Sequence, residues 1–183
     1  MCSAIISWVT RGNWFVLGGV AAFVGGLAWL LKSTWILAGR PQPRLLFEIA
    51  PFFLALTTTC LAIAAEGMGR RRRALALALG SLGMVAGTLA AITELVDTVW
   101  GPAIAVAVLA VVISLLLQDR RGTSTERLAW WIGVATLPLN LLGGLLAIAD
   151  ERLLELPLAF LAIIWIWLAV LIIRSAVTTQ SPP

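Results

Sequence analysis

An all-α integral membrane protein, a six-helix bundle built from three pseudo-repeated transmembrane hairpins, is the fold class this sequence predicts. Three observations predict it. First, 61% of the 183 residues are hydrophobic and only 12% are charged, against about 45–50% and about 25% in soluble domains. Second, the apolar residues fall in six blocks, each near the ~20 residues a helix needs to cross a bilayer. Third, the charges lie between the blocks. The clearest case is Arg70-Arg71-Arg72-Arg73, which separates two long apolar runs. Four consecutive arginines do not enter hydrocarbon cheaply, so this run belongs in water at a membrane face.

The chain reads as a single integral membrane domain, 1–183, with spans at about 14–31, 45–65, 74–93, 100–118, 128–149 and 156–173, and a disordered tail at 175–183. A short lead over residues 1–11 carries Trp8 and Arg11 and is expected at the interface, with Trp8 and Trp14 as belt residues. Span one is uncharged, and its Gly18, Ala22 and Gly26 form a small-residue stripe that admits a close neighbour. Trp29 and Trp35 are expected near the interface beyond it. Pro41 and Pro43 stop that loop from continuing as helix. Span two holds Glu48 and Pro51 near its start and Thr57, Thr58 and Thr59 further in, hydroxyls expected to bond back to carbonyls one turn earlier. Span three repeats the small-residue stripe with Gly83, Gly87 and Ala91, and Glu94 and Asp97 close it. Span four opens at Trp100 and Pro102 and has Ser114 as its lone polar side chain before Gln118. Span five enters at Trp130 and Trp131 and carries Thr136, Pro138, Asn140 and Gly144, with a kink expected at the proline. The short loop Asp150-Glu151-Arg152 leads into span six, which holds Trp165 and Trp167 and stops at Arg174.

Six spans place both termini on one side. Arg11, Arg70 to Arg73, Arg120, Arg121, Arg127 and Arg174 fall on that side, and Lys32, Arg40, Arg44 and Arg152 on the other. The excess predicts both termini in the cytoplasm of a bacterial inner membrane. The net charge of +4 therefore reflects topology rather than nucleic-acid binding. No cleavable signal peptide is expected, because a basic n-region and a cleavage site are not seen.

The chain has no histidine. That excludes haem or zinc held by histidine ligands, and Ser-His or Cys-His nucleophiles. Cys2 and Cys60 do not suggest a disulfide framework, and Cys60 reads as a small apolar helix residue. No Walker loop, dinucleotide glycine motif, metal spacing or carboxylate dyad is present. A catalytic function is not expected, and which cofactor, if any, binds is left unknown.

The three hairpins look like copies. Gly26, Gly87 and Gly144 align, each even span opens near a proline (Pro51, Pro102, Pro157), and each closes on an arginine (Arg71, Arg120, Arg174). Same-way hairpins imply a pseudo-symmetry axis along the membrane normal. On Gly18, Gly26, Gly87, Gly144, Pro51, Pro102 and Pro157, the chain resembles the HdeD-like membrane proteins. That resemblance implies a six-span fold linked to bacterial acid resistance, with no established catalytic residues.

Asn140 reads as the most interior polar side chain, and with Thr136 it is a candidate for a ligand contact or an interhelical hydrogen bond. Trp165 and Trp167, at mid-span and on different sides of one helix, are candidate contacts for a partner helix, a carotenoid or a quinone-like ligand. Glu48, Glu94 and Glu151 form a candidate outer acidic cluster, and Lys32 is placed to pair with one of them. Beyond the lipid bilayer, the partners expected are other membrane proteins or further copies of the chain, with no nucleic acid. Two functions follow as expectations: a structural or accessory membrane protein, stress-related or a subunit of a larger complex, or a small transporter or its substrate-binding subunit. A wet polar cavity reaching mid-membrane would mark the transporter. An apolar outer face covered by a partner would mark the accessory protein.

Overall fold

The computed structural model describes residues 2–41, 43, 46–65, 67–96 and 101–180, with side chains placed at 12–41, 43, 49–65, 67–96 and 101–177. The side chains of Trp8, Arg11, Arg44, Glu48, Glu66, Asp97 and Trp100 lie outside the described residues. The described chain is all-α: α1 (Cys2–Leu37), α2 (Leu46–Ala64), α3 (Arg70–Leu95), α4 (Gly101–Leu116), α5 (Ser124–Ala147) and α6 (Glu155–Gln180), with a 3-10 turn, Glu151–Leu154, leading into α6. α6 runs helical to Gln180, past residue 175 where a disordered tail was expected.

Four segments are long and apolar enough to cross a membrane: Gly12–Leu37, Arg70–Leu95, Ser124–Ala147 and Glu151–Val177. The described parts of the two remaining helices, Ile49–Ala64 and Gly101–Leu116, are apolar as well.

The helices close into a ring in which each packs on its chain neighbours and α1 packs on α6, while α2 also reaches α4. Small residues set these approaches. A Cβ on Gly26 would lie 3.0 Å from the Ala162 carbonyl of α6, and one on Gly87 would lie 2.7 Å from Phe52 N of α2. A Cβ on Gly133 of α5 would lie 3.1 Å from Leu115 Cβ of α4. Each odd helix thus leans a glycine on the even helix of the preceding hairpin, the last hairpin preceding the first around the ring. Gly144 takes no part in this pattern, since a Cβ there would meet nothing within 4 Å. The main core gathers Ala22, Leu54, Ala55, Leu115, Ile132, Trp165 and Leu168 from five helices. Many interior positions are alanine, which brings backbones close where lipid supplies no hydrophobic drive between helices. The perimeter is apolar too: Val85, Leu109, Leu141, Ile148 and Trp167 are all exposed.

The arginine run has a structural use. Positive charge at a helix N-terminus opposes the helix dipole, yet Arg70 to Arg73 form the first turn of α3. Arg72 Nη2 donates to the Gln118 carbonyl just past α4 (2.7 Å), and Arg73 Nη2 donates to the Ala65 carbonyl just past α2. The two guanidinium groups so satisfy carbonyls that a helix end leaves without intrahelical donors. Charge-assisted bonds of this kind contribute about 1.5–3 kcal/mol, enough to offset a dipole penalty of about 0.3–1 kcal/mol.

Candidate functional site: a buried ion pair beside a narrow central gap

Antiparallel packing of α1 on α6 brings the last turns of α1 against the first turn of α6. Lys32 Nζ lies 2.6 Å from Glu155 Oε1, and Ser33 Oγ donates to Glu155 Oε2 at 2.8 Å. All three residues are buried, Lys32 at 3% exposure, Ser33 at 0% and Glu155 at 4%. The hydroxyl matters because a buried carboxylate needs acceptors filled on both oxygens. Glu94, at the end of α3, is buried as well. Helix registers put it at the same end of the bundle: Gly87 meets Phe52 on α2, and Gly25 on α1 meets Phe53 and Leu54.

The predicted acidic cluster therefore takes a different form. Glu151 is exposed in the 3-10 turn and Glu94 is buried. The side chain of Glu48 lies outside the described residues. Glu155, which lies outside the predicted cluster, is the partner that closes on Lys32. It is the acid lying directly against the apolar run of span six, which is the one signal in the sequence that could have singled it out.

One turn below Lys32, Trp29 is buried in the core rather than at the interface. Trp35, by contrast, is exposed and carries Arg40 over its ring at 4.4 Å. Trp29, Pro51, Leu54, Val108, Val111, Val112, Thr136 and Trp165 surround a gap at the middle of the bundle of about 10 Å³. That is about the volume that admits one water. Trp29 Nε1 has no hydrogen-bond partner among the described residues, so the gap is bordered by one unpaired donor and by Thr136. Thr136 Oγ1 itself donates to the Ile132 carbonyl at 2.6 Å.

Asn140 requires correction. It is exposed on the outer side of α5, and the wholly buried polar side chains among the described residues are Ser33, Thr57, Thr58, Ser114 and Gln118. Its Nδ2 donates to the Thr136 carbonyl of its own helix at 2.7 Å. α5 approaches α4 at Gly133, and approaches Leu154 at Gly143. Asn140 lies between these two approaches, where neither neighbour covers it. The helix remains continuous through Pro138. Thr136 and Trp165 do meet around the central gap, while Trp167, two residues on, is 57% exposed.

The threonine run bonds as its spacing predicts. Thr57 donates to the Phe53 carbonyl and also across to Gly18 of α1 (3.2 Å), and Thr58 and Thr59 both donate to Ala55. Cys60 is buried against Gly18. Among the described residues no group of three or more Cys, Asp or Glu side chains is placed to hold a metal ion. No family model, curated protein or solved structure matches the chain.

Proposed function

We propose that this is a non-catalytic accessory protein of a bacterial inner membrane, a stress-related protein of the HdeD-like kind or a subunit of a larger membrane complex. The observation that carries the reading is the narrowness of the central gap that the described residues leave. Where a carrier would hold its solute, the bundle has a gap of about 10 Å³ walled by tryptophan, leucine, valine and proline. The broad apolar perimeter suits lipid or a partner helix.

The same proposal places six spans in the membrane with both termini on the cytoplasmic, arginine-rich side. It also treats the three hairpins as repeats, and the shared order of packing, each odd helix on the even helix before it around the ring, supports this. Native mass spectrometry after gentle extraction from the source membrane tests the reading. A stable mass containing a second polypeptide is expected. A lone chain that holds a small solute would overturn it.

One observation favours a transporter instead: the buried Lys32–Glu155 pair, since ionisable groups inside a membrane protein commonly mark ion paths. Proton or cation flux in proteoliposomes, abolished by Glu155→Gln, would decide for that reading.

A further inference from the structure

At the opposite end from the ion pair, the loop before α3 and the loop between α4 and α5 enclose a cleft of about 140 Å³, with polar and apolar walls in similar measure. This is about ten times the volume that admits one water. Its charged lining is Arg72, Asp119 and Glu126, and Met68 and Leu117 form the apolar side.

The pattern of charge is specific. Among the described residues no ion pair joins Arg72 to either carboxylate, although all three face one cleft. Each is instead held from behind. Arg72 is fixed through Nη2 on the Gln118 carbonyl. Asp119 accepts the Arg121 N–H on Oδ1, at 2.9 Å. Glu126 accepts the Thr123 N–H on Oε2 at 2.8 Å, within the capping box that starts α5. Among the described residues no protein group bonds to the other guanidinium nitrogens of Arg72 or to the second oxygen of either carboxylate. Gly122 makes room for the Glu126 carboxylate, because a Cβ there would collide with Oε2. Gln118, between the lining residues Leu117 and Asp119, is wholly buried with no hydrogen-bond partner for its side-chain N or O among the described residues.

A simple anion would meet two carboxylates here, and a simple cation would meet the guanidinium. A zwitterion satisfies both sides: an anionic group on Arg72 and a hydrogen-bond-donating ammonium on Asp119 and Glu126. The cleft lies where the helices leave the apolar slab, next to the arginine run. We propose that it binds the phosphoethanolamine headgroup of a membrane lipid, with the phosphate on Arg72, the primary ammonium on the two carboxylates and the glycerol end along Met68 and Leu117. This rests on the membrane setting of the helices and not on the accessory reading.

The test uses the full chain in nanodiscs of equal phosphatidylethanolamine, phosphatidylcholine and phosphatidylglycerol, with retained lipid read by native mass spectrometry. Phosphatidylethanolamine should be retained over phosphatidylcholine by about tenfold, because a trimethylated nitrogen has no N–H to donate. Asp119→Asn and Glu126→Gln should erase that preference with the melting temperature unchanged, since glutamine keeps the capping box. Arg72→Gln should release both lipids. Equal retention of the two lipids by the wild type, or an undiminished preference in both carboxylate variants, overturns the proposal. Displacement of the lipid by an equal concentration of soluble glycerophosphoethanolamine would keep the zwitterion chemistry but overturn the lipid as its source.

Discussion

Breaking the Lys32–Glu155 pair should be among the most costly single changes available in this chain. At 2.6 Å and an effective dielectric near 20, the Coulomb attraction is about 6 kcal/mol. Desolvating both groups consumes much of it, so the net worth of the intact pair is small. Removing one partner is different, because it leaves the other charge buried without its main counter-charge, at a cost of about 3–5 kcal/mol. Glu155→Leu removes the carboxylate that Lys32 Nζ meets and also leaves Ser33 Oγ without its acceptor. Lys32→Leu leaves Glu155 with the hydroxyl alone. The double variant removes both charges and should recover most of the loss. Reversible unfolding by denaturant in detergent micelles, run as a double-mutant cycle, should give a coupling of about 2 kcal/mol or more. Single costs below about 1 kcal/mol that simply add would refute the claim that these charges are desolvated.

Gly87→Ala should destabilise by about 1–3 kcal/mol, because its methyl would sit 2.7 Å from the Phe52 backbone, whereas Gly144→Ala, in open space, should stabilise by up to about 1 kcal/mol; melting temperatures in one detergent compare them. Gln118→Met should be neutral or raise stability by about 1 kcal/mol, since it replaces a buried amide that has no partner among the described residues with an apolar chain of similar shape; the same unfolding assay reads it, and a loss beyond 2 kcal/mol would show that the amide is satisfied. Asn140→Leu should change stability by less than about 1 kcal/mol and leave the protein folded, because its one hydrogen bond lies on the outside of its own helix; circular dichroism and the melting temperature check both.

The positions of the helices were legible in the sequence, and the directions their faces point were not. Apolar blocks bounded by arginine, proline and acidic residues mark the spans, and the small-residue stripes name the glycines at which helices approach. A soluble protein would also reveal its inward faces, because its outer faces are polar. Here Leu141 and Ile148 face outward and are as apolar as Leu54 and Leu115 inside, as expected where lipid rather than water covers the surface. Hydropathy therefore could not separate Trp165 from Trp167, or show that Asn140 turns outward while Thr136, one turn earlier, turns in. The ion pair was hidden for a second reason. Lys32 and Glu155 stand 123 positions apart, and only the closure of α1 on α6 joins them. Once that register is set by Gly26 against Ala162, the last turns of α1 must face the first turn of α6.

Whether the middle of the bundle is closed to water is measured directly by cysteine accessibility. In a chain with Cys2 and Cys60 changed to serine, single cysteines replace Val108 and Thr136, two residues that border the central gap. A membrane-impermeant maleimide applied from both sides of the membrane should leave both cysteines unmodified until the protein is denatured. Rapid labelling of both in the folded protein, slowed by an added solute, would show a wet path through the centre and contradict the accessory reading.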